Sequence, residues 1–456
     1  NRSSKNLEVA LVLDITGSMG GQRLTDLKVA AKDLVDLVVQ PVQTPFYSRM
    51  SVIPYAVGVN LGAYANSARG TPTAYRNISG AAWTTGSSKS ISGITRASTG
   101  VVSSSSHGFA TGDWIWISGV NGMTQINDRA FRVVRISSSS YSLQAWTGSS
   151  WATVNTTSGN GYSSYSSGGI ARKCLVSDCS VVVTANGHGL SNDDYVYISN
   201  VSGMTGINGS GYQVSDVTTN TYSIGENGAS WGNYSSGGRS YCGQYGCEYR
   251  VFRNPSNAIR ALPASTCVSE RTGAQAYTDA SPGSARVGFN YANSNNVCPT
   301  ASILPLSSNI STIKNLINSL SDDGSTAGHI GTAWGWYTVS PNFNALWPSN
   351  GAGVRNERDL LKAVIIMTDG DYNTPYCSGV IAQNALSGSG GSTDKIACNA
   401  TNGHSFDQAR SLCDAMKAQG IIVYTVGFQV SSGSSAADIL AQCATSTAHA
   451  HLPASG

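Results

Sequence analysis

At 456 residues the chain is too long for one ordinary core, and two or three domains are expected. Only 12% of its residues are charged and 51 are Gly, while Ser, Thr and Asn crowd the middle, so the surface is polar through hydroxyls and amides. That composition suits an exposed extracellular protein better than a cytosolic enzyme. A net charge of +3 gives no support for binding nucleic acid or an anionic membrane, and no apolar run reaches the roughly 18 residues needed to span one.

The first element is LEVALVLDITGSMG, Leu7 to Gly20, whose near-continuous apolar run predicts a parallel strand buried on both faces. It ends at Asp14, and Thr16 and Ser18 follow at alternate positions. Three short oxygen-bearing side chains on a Gly-containing turn can converge on one point, as a hard divalent cation requires. Arg23 to Val39 places Leu24, Leu27, Ala31, Leu34, Val35 and Val38 at helical spacing, with Pro41 beyond its end. Met50 to Gly62 reads as the next strand, and Pro54 argues for an edge or a bulge within it.

The pattern then changes. From about Ser90 to Tyr241 only short alternating runs remain, broken by Gly, Ser and Asn. His107 to Leu143 matches His188 to Ile224 without a gap at an offset of 81, and each copy later reaches a Trp (Trp151, Trp231), then YSSGG, then a C-x4-C pair. Two copies of one small all-β unit are expected. The recurring His107 and His188 read as turn histidines satisfied by their surroundings rather than ligands. Within each copy two aromatics, Trp114 with Trp116 and Tyr195 with Tyr197, share one strand face. That face is expected to be the core, the alternative being a surface for carbohydrate.

From Cys242 the chain returns toward α/β character. GSTAGHIG sets Thr326 in a Gly-flanked loop ahead of a helical stretch, and LLKAVIIMTDGD ends a second buried strand at Asp369 and Gly370. Phe406 to Gly420 is an amphipathic helix stopped by Gly420, followed by the strand IIVYTVGFQV and a last helix in AADILAQCATS. His404, His449 and His451 near the chain's end read as solvated. Ten cysteines fall in close pairs: Cys174 with Cys179, Cys242 with Cys247, Cys267 with Cys298, Cys377 with Cys398, and Cys413 with Cys443. Nearest-neighbour pairing is the simplest connectivity; zinc on the two C-x4-C pairs is the rival reading, less favoured because the spacing exceeds the usual knuckle. Disulfides imply an oxidising compartment, and since the chain opens on NRSSKN, an export signal or membrane anchor is expected upstream.

Asp14, Thr16, Ser18, Thr326 and Asp369 together resemble the metal-ion-dependent adhesion site of the von Willebrand factor A family, with Thr16 in place of the pattern's first Ser. TCVSERTG, VCPTASILPL and the stretch from GSTAGHIG through AWGWYTVSP look like the TadG-like proteins of bacterial tight-adherence pilus systems, which carry such a domain behind a membrane anchor. The β copies resemble a barrel repeat of bacterial and phage surface proteins, related to the first catalytic cysteine half-domain of ubiquitin-activating enzymes, and only the fold carries over. These resemblances imply a doubly wound, mainly parallel α/β sheet of Rossmann-like type in two segments, 1–90 and 248–456. Two inserted β repeats, 91–173 and 174–247, interrupt it.

The five residues would then hold a divalent cation, Mg²⁺ before Ca²⁺ or Mn²⁺, with one position left for an acidic group of a protein partner. Pilus subunits or a host or surface ligand would be such partners. An extracellular or cell-surface place on a Gram-negative bacterium follows, with no nucleic-acid partner and membrane contact only through a missing anchor. The chain is expected not to be an enzyme, since no strand precedes the Gly-Ser run around Ser389 and no phosphate-binding Gly loop is present. A structural role is the alternative: the metal would only pin loops, and the repeats would make lattice or glycan contacts in a filament.

Overall fold

The computed structural model describes residues 5–355 and 357–452. They fall into two compact units, one joining the segment up to Thr73 with that from Tyr245 on, the other formed by Ala74–Gln244.

The first unit is organised around the strand Asn6–Asp14, buried from Glu8 onward. It runs parallel to Ser48–Tyr55 on one side and to Leu360–Thr368 on the other. Ile422–Gly427 and then Ala450–His451 extend the sheet in parallel. Successive side chains of a strand point to opposite faces. Val9, Leu11 and Leu13 therefore pack with Leu27, Ala31 and Val35 of the helix Gln22–Val38 and with Ile313 and Ile317 of the helix Ile310–Ser319. Ala10 and Val12 instead join Ile330 and Trp334 of the helix Gly328–Thr338 and Leu412 and Met416 of Ser405–Ala418. Each such buried Val, Leu, Ile or Met side chain contributes about 1.5–3 kcal/mol. The helices start where side chains can cap them: Asn309 accepts from Thr312 N at 3.0 Å and Ser434 from Ala437 N at 3.1 Å. Pro54 faces Leu13 within the sheet, and the antiparallel neighbour Leu304–Ser307 pairs only as far as Val52, after a register shift.

The expected fold class does not hold. By residue the chain is mostly β, 34% strand against 21% helix, with several antiparallel sheets, and it is not a doubly wound parallel α/β fold of the von Willebrand A type. The large sheet is mixed: its parallel strands are continued through Val59–Asn60, Ile259–Ser269, Tyr249–Arg253 and Gly288–Tyr291, all paired antiparallel. The four other sheets have antiparallel pairings throughout. The physical reason lies in the connections. Within each copy short Gly, Ser and Asn turns join successive strands such as Arg129–Arg135 and Ser140–Trp146, and a short turn permits only antiparallel pairing. Strands distant in sequence, such as Ser167–Cys174 with Trp114–Asn121, also add antiparallel.

The second unit contains both repeat copies. In the first, Trp114–Asn121 pairs with Ser167–Cys174 and with Arg129–Arg135, which leads to Ser140–Trp146 and the short strand Trp151–Thr153. In the second, Tyr195–Ser202 lies between Ser210–Gln213 and Ser236–Cys242. The two copies share local devices. Asn127 bonds both the N and the O of Val120 at 2.8 Å, and Asn208 does the same to Val201. His107 Nδ1 accepts from Phe109 N at 3.0 Å, as His188 Nδ1 does from Leu190 N. The aromatics do not line their own copy's core: Ile115 and Ile117, with Val196 and Ile198, are fully buried, whereas Trp114, Trp116, Tyr195 and Tyr197 are half-buried on the opposite face, and there Trp114 and Trp116 pack against the core of the second copy. Alternation identifies which residues share a face without saying which face turns inward.

Cys174 is bonded to Cys179, Cys267 to Cys298, Cys377 to Cys398 and Cys413 to Cys443. Cys242 and Cys247 are likewise in disulfide form, which leaves no thiolate for zinc. Full oxidation is compatible with an extracellular protein. No helix among the described residues is long and apolar enough to cross a membrane.

Candidate cation-binding site

Asp14 closes the central strand directly opposite Tyr55, and its carboxylate is wholly buried. Four donors surround it. Oδ1 accepts from Thr16 N at 3.0 Å and Thr16 Oγ1 at 2.7 Å; Oδ2 accepts from Tyr55 OH at 3.0 Å and Thr368 Oγ1 at 2.5 Å. Tyr55 is held in place because the helix Gly328–Thr338 approaches it closely: a Cβ on Gly331 would lie 2.4 Å from its ring, and one on Gly328 would lie 2.0 Å from Tyr372. The glycines that the sequence places after Thr326 therefore let this helix seat against the tyrosines behind the site.

Thr16 Oγ1 is 3.0 Å from Ser18 Oγ, which is exposed. Asp369 stands at the end of the neighbouring parallel strand, with Arg23 Nη1 3.5 Å from its Oδ2 and only 7% of its side chain exposed. Its Oδ1 is buried without a hydrogen-bond partner. Burial, then the charge of Asp369, pushes the Asp14 carboxyl up to about 6 against the pull of Thr368 and Thr16. Burial also raises Asp369, against the Ser18 hydroxyl and the Arg23 guanidinium.

Thr326 is buried, and its loop is tied to both carboxylate loops through the backbone. Gly17 N donates to Gly324 O and Asp323 N to Ile15 O, both at 3.0 Å. Thr326 N donates to Asn373 Oδ1 at 3.0 Å, and Thr326 O accepts from Asn373 N and Thr374 N. The structure thus joins Asp14, Thr16 and Ser18 in one hydrogen-bonded chain, brings Asp369 into electrostatic range, and laces the Thr326 loop to both. Beyond Ser18 and Asp369 an open cleft is lined also by Arg23, Asp371, Gln429 and Ser434.

Sequence reasoning missed Tyr55, Thr368, Arg23 and Asn373. Thr368 had a signal, since it immediately precedes Asp369 on a strand parallel to that of Asp14. The chemistry of the set is hard and oxygen-based: two carboxylates and three hydroxyls suit Mg²⁺, Ca²⁺ or Mn²⁺. Among the described residues no group of three or more His, Cys, Asp or Glu is placed to hold a metal.

Comparison with known families places one part of the chain. The family model of the ubiquitin-activating enzyme E1 FCCH domain matches residues 98–174 and 178–242, once for each copy of the repeat. Together the two stretches make up under a third of the chain. No curated protein matches it. The match overturns the expected assignment, since it is to neither a von Willebrand A domain nor a TadG-like protein, and the labels of adhesion-site motif and tight-adherence pilus go with it. It also lends no support to the expectation that the chain is not an enzyme: the domain is named for an enzyme, and the match assigns no catalytic activity here.

Proposed function

We propose that the Asp14, Thr16, Ser18, Thr326 and Asp369 cluster binds a divalent cation, Mg²⁺ before Ca²⁺ or Mn²⁺, and through it docks an acidic group of a protein partner. The protein is then a binding module acting outside the cell, in adhesion or subunit docking, rather than an enzyme. The observation that carries this reading is the buried, unpartnered Oδ1 of Asp369 beside the fully buried Asp14. Two buried carboxylates repel each other, and the Arg23 guanidinium beside Asp369 Oδ2 leaves the buried Oδ1 unsatisfied, so a cation is the natural complement.

The residues divide the work. Asp14 already accepts from four protein donors, so it acts chiefly through charge and ordered water. Ser18 is exposed and Asp369 borders the cleft, so these two face an incoming ligand. A bound cation would supply a Lewis-acidic position that a carboxylate can complete. The loops are already laced by Gly17 to Gly324 and Asp323 to Ile15, which favours docking over a role confined to pinning loops.

The test is binding of an immobilised glutamate-containing peptide in Mg²⁺, Ca²⁺, Mn²⁺ or EDTA, for wild type and Thr326→Ala. Docking predicts binding that requires the ion and is lost in the variant while the melting temperature stays within a few degrees. A large fall in melting temperature with no ion-dependent peptide binding would leave only the pinning role.

A further inference from the structure

One face of the first repeat's sheet, which packs against the second copy's core at Trp114, Trp116 and Ala130, carries beyond that contact a feature that the second copy lacks. Across its sheet, Trp114, Arg132, Gln144 and Thr153 stand side by side in register, and the next pair along is Trp146 with Trp151. The opposite face is the core, where Ile115, Phe131, Val133 and Leu143 are buried. The Trp114 and Trp151 rings are 4.9 Å apart and those of Trp146 and Trp151 5.1 Å apart, with Trp146 55% exposed. The Arg132 guanidinium lies 5.6 Å from the Trp151 ring centre, and its Nη1 donates to Gln144 Oε1 at 3.4 Å.

The second copy is a control supplied by the chain itself. At the offset of 81, Tyr195 replaces Trp114, Gln213 replaces Arg132, Gly225 replaces Gln144 and Asn227 replaces Trp146. Its later tryptophan, Trp231, packs instead on its own copy's turn, where a Cβ on Gly206 would lie 2.3 Å from the ring. The same fold is therefore built without the tryptophan cluster or the arginine. A cross-strand Trp pair can stabilise a hairpin. That purpose does not call for a guanidinium and an amide in the adjoining row, or for an indole left mostly in water.

We propose that this face, formed by Trp114, Trp146, Trp151, Arg132 and Gln144, binds an acidic oligosaccharide. The apolar C–H face of a sugar ring stacks on indole, the Gln144 amide and the neighbouring Thr153 meet ring hydroxyls, and Arg132 meets a uronate carboxylate in the bidentate geometry that guanidinium favours. Charge complementarity selects the acidic sugar, because Asp113, at the edge of this face, is neutralised by Lys173 at 2.8 Å and Arg132 faces the ligand. A nucleic-acid strand would need a continuous track of cations along its backbone, and this face offers two guanidiniums, Arg132 and, across the strand Trp114–Asn121 beside Trp116, Arg172, amid hydroxyls and amides.

The experiment titrates the full chain, in EDTA so that no divalent cation contributes, with oligoglucuronate, oligogalacturonate and oligomannuronate, a neutral cello-oligosaccharide of equal length, and oligo-dT, following indole fluorescence. At least one uronate should bind, and at least about tenfold more tightly than the neutral sugar or oligo-dT. Trp146→Asn and Arg132→Gln, which install the second copy's residues, should each weaken uronate binding about tenfold or more without moving the melting temperature. The proposal is overturned if no uronate binds, if the neutral sugar or oligo-dT binds as tightly, or if either repeat variant binds as wild type.

Discussion

Tyr55 and Asp14 end two adjacent parallel strands in direct register, and the tyrosine hydroxyl donates to the buried carboxylate at 3.0 Å. This pair links the packing of the sheet to the chemistry at its end. The ring of Tyr55 sits under Gly331 and edge-on to Tyr372, with ring centres 6.4 Å apart, so its hydroxyl has little freedom to turn away.

Tyr55→Phe keeps the ring and removes the donor. The ionised form of Asp14 loses one of its four bonds, so its pKa rises further and the protein is destabilised by about 1–3 kcal/mol at neutral pH. Mg²⁺ affinity falls at pH 7 and recovers in part at higher pH. Denaturant unfolding and cation titration at two pH values check both parts.

The raised carboxyl of Asp14 sets a pH dependence whose sign is unusual for an acid. Its folded pKa of about 6 exceeds the unfolded value near 3.8, so between these the folded state holds the proton more tightly. The contribution is whole below about 3.8 and is lost as the pH rises through about 6, amounting to about 3 kcal/mol by pH 7. Unfolding of the EDTA-treated protein at pH 4.5 and 7 should show this loss, Mg²⁺ should offset it, and Asp14→Asn should flatten the profile.

The placement of the two carboxylates of the candidate site was legible in the sequence, because Asp14 and Asp369 each terminate an apolar run that forms a buried strand. The supporting groups were hidden. Tyr55 lies in the apolar strand Ser48–Tyr55 and looks like core, and only the register with Asp14 reveals its hydroxyl's role. The overall class was misread because the strong periodic segments near both ends dominate the eye. Ile259–Ser269, which pairs antiparallel with Val59–Asn60, Tyr249–Arg253 and Gly288–Tyr291, has too mixed a pattern to announce its partners. The repeat was legible as a repeat. Its orientation was not, since Ile115 and Trp114 are both apolar and only packing decides which turns inward.

In the repeats, Asn127→Ala and Asn208→Ala remove equivalent clamps on Val120 and Val201. Each loses two hydrogen bonds and leaves backbone groups to find new partners, at about 1–3 kcal/mol. Hydrogen exchange should localise each loss to its own copy, with the amides of the Asn6–Asp14 strand unchanged.

Cys413 and Cys443 tie the helix Ser405–Ala418 to Ser435–Cys443 across a sequence separation of 30. The double replacement Cys413→Ala with Cys443→Ala frees this loop in the unfolded chain and lowers stability by about 2–4 kcal/mol. A thermal melt of the variant against wild type, both without reductant, measures it.

The most direct measurement is calorimetric titration of Mg²⁺ into the EDTA-stripped, buffer-exchanged protein at pH 7, for wild type and Asp369→Asn. One saturable site in wild type, with protons released on binding and affinity at least about tenfold weaker in the variant, is the expected result. No binding by wild type, or equal binding by both proteins, would contradict a cation site at Asp14 and Asp369.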